Sequence, residues 1–245
     1  MESTQIADQT PDSSDERVWY ALESREVAEA LQTSIQSGLD RDLAASRLIR
    51  HGPNELAAAP KPPFWKKLLG QFSSFLVIIL ILAAVVSAIV GEFVQAVAIM
   101  AIVLLNAGLG VVQERRAEEA LAALQNLTDP EAPVVRSGHR QTVPARELVA
   151  GDLVLLEAGN YVPADMRLFE SANLRIEEAA LTGESVSVDK DAGGVLGGST
   201  YLGERRNMAY SGTLVSYGRG RGLVVATGME TQIGQIAEML QSVEI

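Results

Sequence analysis

The chain has 245 residues, two histidines, no cysteine and a formal net charge of −11. Without cysteine it can form neither a disulfide framework nor a thiolate metal site, and His51 and His139 are too few and too far apart for a histidine-rich metal site. The negative charge argues against nucleic-acid binding through a basic face. Residues 1–16 include acidic residues and no basic one, so residues 1–17 are predicted to be a disordered acidic tail.

Two short helices are predicted in the N-terminal segment, residues 18–60. Ser24 is the expected cap of the first helix, which ends at Gly38. Asp40 is the expected cap of the second, which Gly52 closes. The apolar positions are Val27, Ala28, Leu31 and Ile35 in the first helix and Leu43, Ala44, Leu48 and Ile49 in the second.

Two long uncharged runs follow, at residues 68–91 and 93–113, with Glu92 between them. A helix needs about 20 apolar residues to cross a hydrocarbon core of roughly 30 Å, so each run is long enough. Residues 68–113 are therefore predicted to form a transmembrane helical hairpin. A signal peptide would begin near residue 1, and a buried-core interpretation would need two such helices inside a small globule.

Basic residues flank this hairpin on both sides and are absent from its turn. Lys61, Lys66 and Lys67 precede it, and Arg115 and Arg116 follow it. Because basic flanks favour the cytoplasm, the sequence predicts a multi-pass integral membrane protein with both termini cytoplasmic.

Asn106 is a polar residue within the second uncharged run. Polar residues in membrane helices usually face protein, and the neighbouring small residues allow close helix approach. We interpret Asn106 as a helix-packing contact, with the lining of an ion path as the alternative.

The rest of the chain is predicted to be a cytosolic helical extension at residues 114–131, a β-rich domain at 132–230 and a final helix at 231–245. In the β-rich domain short apolar runs alternate with Gly, Pro, Asp and Asn, which is typical of a small antiparallel sandwich or distorted barrel. The glycine-arginine run 218–222 is interpreted as a hairpin turn, because it lacks the strand-to-helix context of a phosphate loop. The expected strands are residues 134–135, 141–143, 153–156, 166–169, 174–176, 213–216 and 222–227. The fold class is thus an α+β membrane protein.

The run Leu181-Thr182-Gly183-Glu184-Ser185 resembles the signature of the actuator domain of P-type cation-transporting ATPases, the E1-E2 ATPases. Further runs occur in that family's order: GDLV at 151–154, VPADMR at 162–167, NMAYSGT at 207–213 and TGMET at 227–231. Residues 47–56, RLIRHGPNEL, resemble the N-terminal segment of cation pumps, so the resemblance covers residues 18–245. Ser187 stands where many members have proline. Calcium pumps of the sarcoplasmic-reticulum type are similar to this chain in having serine here, which favours a calcium-pump-like branch.

The resemblance implies a catalytic loop made of Thr182, Gly183, Glu184 and Ser185. Glu184 would orient a water and accept its proton during hydrolysis of an aspartyl phosphate carried by another domain. Gly183 would permit close backbone approach to the phosphate, and the Thr182 and Ser185 hydroxyls would hold the loop. The alternative for Glu184 is an exposed glutamate in a turn.

The resemblance also implies partners and cofactors. The expected partners are a membrane, a phosphorylation domain and a transported cation, but no nucleic acid. No cofactor-binding or metal-binding residue is predicted in the chain, whereas Mg²⁺ and ATP are expected for the complete pump. By resemblance, the N-terminal helices pack on the β-rich domain.

The family's phosphorylation sequence Asp-Lys-Thr-Gly-Thr and a Walker-type loop do not occur in these 245 residues. The chain alone is therefore expected neither to bind ATP productively nor to transport. Three hypotheses stay open: an N-terminal fragment of a pump that couples ATP hydrolysis to cation transport, one half of a split pump, or a non-enzymatic membrane-anchored regulator. The helix at 231–245 is expected to lead to a third span outside the chain.

Overall fold

The computed structural model describes residues 18–57, 69, 74–126, 130–183 and 186–243. The predicted acidic tail at 1–17 and most of the proline-rich lead into the apolar segment lie outside these residues, as do Glu184 and Ser185. The chain divides into two compact units. One unit combines Met1–Ala57 with Pro130–Ile245, and the other is Ala58–Asp129.

The first helix, α1 (Ser24–Ala30), is shorter than predicted and has a different cap. Glu23, not Ser24, is the N-cap, and its amide donates to the Glu26 carboxylate at 2.8 Å in a capping box. Gln32 adopts a left-handed conformation (φ 49°), which ends the helix well before Ile35 and Gly38. The prediction failed because no glycine marks this termination.

The second helix, α2 (Arg41–His51), has the predicted ends. The Asp40 carboxylate accepts a hydrogen bond from the Asp42 amide at 3.0 Å, and Gly52 is the C-cap. Its predicted apolar face was wrong at Ile49, which is 86% exposed. Five residues advance a helix by about 140° beyond a full turn, so Ile49 lies far from the face that carries the buried Ala44.

Two apolar helices form the second unit: α3 (Phe75–Val90) and α4 (Phe93–Asn126). They contact each other and are joined by Gly91 and Glu92. Ser74 caps α3. The helix was predicted to begin at residue 68, and residues 68 and 70–73 lie outside the described residues. The predicted helical extension at residues 114–131 is present as far as Asn126, where α4 ends, whereas Glu131 begins the first strand of the β domain.

Small and β-branched side chains lie where α3 and α4 meet, whereas most larger apolar side chains are exposed. The buried residues are Val77, Ala84, Val103 and Ala107. Asn106 is exposed in the described chain, so it is not buried between α3 and α4, and its interpretation as a helix-packing contact stays a prediction. Among the described residues, one helix, Phe93–Ala117, is long and apolar enough to cross a membrane.

The β domain contains seven strands in one antiparallel sheet of order β2-β1-β3-β7-β4-β5, with β6 also pairing with β4. The antiparallel character predicted from the short alternating runs is confirmed. The strands are β1 (Glu131–Arg136), β2 (His139–Pro144), β3 (Leu153–Glu157), β4 (Asp165–Glu177), β5 (Val188–Asp189), β6 (Met208–Ala209) and β7 (Leu214–Ala226).

Strands β4 and β7 are each longer than predicted, because each joins two of the expected strands. The run 218–222 lies inside β7, so the prediction of a hairpin turn there was wrong. Gly218 has a φ of 78°, and a Cβ there would lie 2.2 Å from the Asn173 carbonyl oxygen. Glycine is therefore required by the close approach of two bulged strands rather than by a turn.

Both faces of the central strands are buried, and side chains alternate between them. Val134, Val154 and Val224 enter one core cluster, whereas their neighbours Val135, Leu153 and Leu223 enter another. The second cluster also contains Val27, Ala28 and Leu31 from the N-terminal segment. The expectation that this segment packs on the β domain is confirmed.

Two further helices complete the domain. Helix α5 (Ala179–Thr182) is a single turn between β4 and β5. Helix α6 (Gln232–Val243) ends the described chain and agrees with the predicted final helix.

Candidate functional site

The predicted catalytic loop begins on α5. The amide of Thr182 donates to the Glu178 carbonyl at 3.0 Å, and the amide of Gly183 donates to the Ala179 carbonyl at 3.0 Å. Gly183 is left-handed (φ 76°) and ends the helix. The Thr182 hydroxyl donates to the Glu178 carbonyl at 3.2 Å, so it supports the turn locally.

Gly183 presents an open stretch of backbone. It is exposed, and no described atom lies within 4 Å of the position that a Cβ would occupy. Among the described residues, therefore, no side chain obstructs an anionic group that approaches the main chain here. Of the four predicted site residues, the structure describes Thr182 and Gly183, while Glu184 and Ser185 lie outside the described residues. Val186, the next described residue, is 77% exposed.

A buried ion pair lies at the base of this loop. Lys190 Nζ donates to Glu178 Oε1 at 2.5 Å, and neither side chain is exposed to solvent. Burial raises the pKa of Glu178, and the neighbouring Lys190 charge opposes this rise. Burial lowers the pKa of Lys190, and Glu178 opposes this in turn. The sequence analysis missed this pair, because an acid and a base twelve residues apart carry no local signal of contact.

A short strand pairing and a side-chain hydrogen bond also hold the returning side of the loop. Strand β5 pairs with β4 at two positions only, Arg175 with Asp189 and Ile176 with Val188. The Ser216 hydroxyl donates to the Ser187 hydroxyl at 2.9 Å. Ser187 is thus a hydrogen-bond partner where a proline could not be one.

The VPADMR run supplies two buried charged groups. The Arg167 guanidinium donates to the carbonyls of Leu22, Ala192 and Gly194 at 3.0–3.1 Å, and also to the carbonyl of Leu168. Burial lowers the pKa of Arg167 to about 10. This side chain therefore ties the N-terminal segment and the segment after Lys190 to β4.

Asp165 links strand β4 to helix α6. Its carboxylate accepts hydrogen bonds from the amides of Ser211 and Gln232, each at 2.8 Å. Gln232 is the first residue of α6, so the carboxylate stabilises the positive end of that helix. Burial raises the pKa of Asp165 to about 6.

Comparison with known families identifies both parts of the first unit. Residues 19–87 match the family model "Cation transporter/ATPase, N-terminus", and residues 126–241 match "P-type ATPase actuator domain". The chain belongs to the P-type cation-transporting ATPase family. The β domain is therefore an actuator domain, and the Thr182–Ser185 loop lies inside the matched region.

Proteins with similar sequences occur in several bacteria. The chain is 46% identical to "Calcium-transporting ATPase 1" of Bacillus cereus over 92% of its own length and 26% of that protein. It is 44% identical to "Probable cation-transporting ATPase F" of Mycobacterium tuberculosis over 92% of this chain and 25% of that one. It is 43% identical to "Calcium-transporting ATPase" of Bacillus subtilis over 91% and 25%. The chain spans about a quarter of the length of these relatives.

Asn54 is a part-buried link in the actuator that the sequence analysis did not single out. Its Nδ2 donates to the carbonyls of Ala145 and Pro163 at 3.0 and 2.9 Å, and its Oδ1 accepts from the Gly228 amide at 2.8 Å. A Cβ on Gly228 would lie 2.9 Å from the Glu55 carbonyl oxygen. The N-terminal segment and the turn before α6 thus lie in direct contact with each other. The only available signal was the position of Asn54 inside the GPNEL run.

No group of three or more His, Asp or Glu side chains in the described part of the chain lies close enough together to bind a metal ion. Family membership implies Mg²⁺ and ATP for a complete pump, and the described residues offer no such cluster for the Mg²⁺.

Proposed function

We propose that this chain is the N-terminal part of an ATP-driven cation pump, and that its Thr182–Ser185 loop promotes hydrolysis of an aspartyl phosphate on another domain. The observation that carries the proposal is the exposed, left-handed Gly183 at the end of α5, directly before Glu184 in an actuator domain. A carboxylate next to open backbone can approach a phosphate without steric obstruction.

In the proposed reaction a water oxygen attacks phosphorus, and the bond from phosphorus to the aspartate oxygen breaks. Glu184 orients the water and accepts its proton, so inorganic phosphate and a free aspartate result. The main chain at Gly183 lies against the phosphate oxygens, and the Thr182 and Ser185 hydroxyls stabilise the loop. Loss of a general base of this kind slows a reaction by about 10²- to 10⁴-fold.

We propose further that α3 and α4 cross a membrane, with both termini cytoplasmic. The proposal is supported by the exposed apolar surface of both helices, because such a surface is unfavourable in water and favourable in lipid. Examples are Phe75 and Ile89 in α3, each 80% exposed, and Val94 in α4, 82% exposed. The basic residues 115 and 116 after the apolar part of α4 support the orientation.

Calcium is the cation that we propose. The relatives from Bacillus cereus and Bacillus subtilis carry calcium in their names, and Ser187 agrees with the calcium-pump pattern. The Mycobacterium tuberculosis relative is named only as a cation transporter, so transport assays should compare calcium with other divalent cations.

The test uses a chimeric pump in which residues 18–243 replace the aligned residues of the Bacillus cereus relative. Inverted membrane vesicles that contain the chimera should accumulate calcium when ATP is added. Glu184→Gln should abolish this uptake and still allow phosphoenzyme to form. Glu157→Gln, which alters an exposed glutamate on β3, is the control and should transport normally. Normal uptake by Glu184→Gln would refute the proposal.

A further inference from the structure

We infer that the buried Glu178–Lys190 ion pair positions the Thr182–Ser185 loop, because it holds together the two residues that flank the loop. This positioning would set the rate at which the aspartyl phosphate is hydrolysed. This inference rests on the proposed function of Glu184. Neither residue would touch the phosphate, so both are positioning residues rather than catalytic ones.

The first reason is the place of the pair in the chain. Glu178 is the N-cap of α5, the turn that ends at Gly183, and Lys190 directly follows β5. The pair therefore closes a segment whose middle is the Thr182–Ser185 loop. The Lys190 amide also donates to the Leu174 carbonyl at 2.8 Å, so its main chain is tied to β4 while its side chain contacts Glu178.

The second reason is the weakness of the other contacts that close the loop. Strand β5 has two paired residues, and its Arg175–Asp189 ion pair is more than half exposed. Exposed ion pairs contribute little because water screens them and the long side chains lose entropy. The pair between Glu178 and Lys190 is shielded from water, so solvent screens it less than the Arg175–Asp189 pair.

The third reason is that stability alone does not account for a buried ion pair. Removing two charges from water costs about as much as their attraction returns, and apolar side chains of similar volume often stabilise a protein equally well. An ion pair is directional, because the ammonium group must point at the carboxylate, whereas an apolar contact is not. It therefore fixes the position of the α5 N-cap relative to β5, which an apolar contact would not.

The decisive experiment measures the first-order decay of phosphoenzyme in the chimeric pump after a chase with unlabelled ATP. A first-order rate constant does not depend on how much of the variant has folded. Lys190→Gln removes the charge and is expected to slow decay at least about tenfold, since small displacements of a reacting group have large effects on rate. Lys190→Arg keeps the charge and should decay within about threefold of the unchanged chimera. Equal decay of Lys190→Gln and the unchanged chimera would overturn the inference.

A double variant separates positioning from stability. Glu178→Met combined with Lys190→Met fills the same space without charge and should leave the unfolding midpoint close to that of the unchanged protein. Positioning requires that its phosphoenzyme still decays slowly. If decay and stability both return to their original values, the pair has only a structural role and the inference fails. Arg140→Met with Glu157→Met, which removes an exposed pair elsewhere in the sheet, is the matched control and should change neither quantity.

A measurement on the chain itself needs no pump activity. In detergent, Lys190→Gln should increase amide hydrogen exchange across residues 179–189 about tenfold and leave residues 153–157 in β3 unchanged. Unchanged exchange across 179–189 would overturn the inference.

Glu184→Gln is measured in the same phosphoenzyme chase as the Lys190 variants. Rapid decay of Glu184→Gln refutes the proposed function. Slow decay of Glu184→Gln with rapid decay of Lys190→Gln refutes only the positioning role.

Discussion

Asn54→Ala should destabilise the actuator unit by about 2–4 kcal/mol, because it removes three side-chain hydrogen bonds that each contribute about 0.5–1.5 kcal/mol. Two carbonyls and the Gly228 amide would lose their partners in a part-buried environment, which places the cost towards the upper end of this range. For a chain of this size, such a loss lowers the melting temperature by roughly 5–15 °C.

The assay is equilibrium unfolding in guanidinium chloride, with the chain in detergent. Trp19 packs against the core cluster that joins α1 to the sheet, so its fluorescence reports on the actuator unit. Trp65 is replaced by phenylalanine in every protein compared, which leaves one reporter. A change in midpoint at constant slope measures the loss of stability.

Asn160→Ala is the matched control, because the Asn160 side chain accepts one exposed hydrogen bond from the Glu157 amide. It should cost less than about 1 kcal/mol. Hydrogen exchange should also rise locally in Asn54→Ala at residues 228–235, where the turn leads into α6. Equal stability of the two variants would refute the conclusion that Asn54 links the N-terminal segment to the turn before α6.

Two further predictions concern Asp165 and Gly38. Asp165 has a pKa of about 6 when folded and 3.8 as its ordinary value, so the folded chain binds the extra proton between these pH values. The unfolding free energy of the unchanged chain, measured against Asp165→Asn, should therefore fall by about 2 kcal/mol as pH rises from 4 to 6 and level off above about pH 7. A difference that rises with pH would contradict the burial argument. Gly38→Ala should cost at least about 3 kcal/mol, because a Cβ there would lie 1.8 Å from the Val135 carbonyl oxygen, in addition to the left-handed strain. Gly138→Ala has the same strain (φ 78°) and no neighbour within 4 Å, so chemical denaturation should show a loss of only about 1 kcal/mol, and equal losses would refute the steric reason.

Local rules predicted the features that depend on local chemistry. Asp40 and Gly52 bound α2 as expected, because a capping carboxylate and a left-handed glycine act on the residues beside them. The end of α1 was missed because Gln32, a residue with no strong preference for the left-handed region, adopts it. The Gly218–Gly222 run was misassigned for the opposite reason: its glycines serve contacts with a distant strand, which no local rule reveals.

In the candidate site, too, features set by local sequence could be predicted, whereas features set by distant contacts could not. The Thr182–Ser185 loop could be located from its sequence, since the flanking runs occur in the order of a known family. The ion pair that closes the loop could not, because Glu178 and Lys190 meet only when β5 returns alongside β4. Asn54 and Asp165 likewise depend on contacts between residues more than forty positions apart.

The most direct test of the central claim is the single-turnover decay of phosphoenzyme in the chimeric pump, with and without Glu184→Gln. Both proteins should form phosphoenzyme from ATP to the same level. The Glu184→Gln phosphoenzyme should then decay at least about 100-fold more slowly, as expected on loss of a general base. Equal decay rates would contradict the assignment of aspartyl-phosphate hydrolysis to this loop.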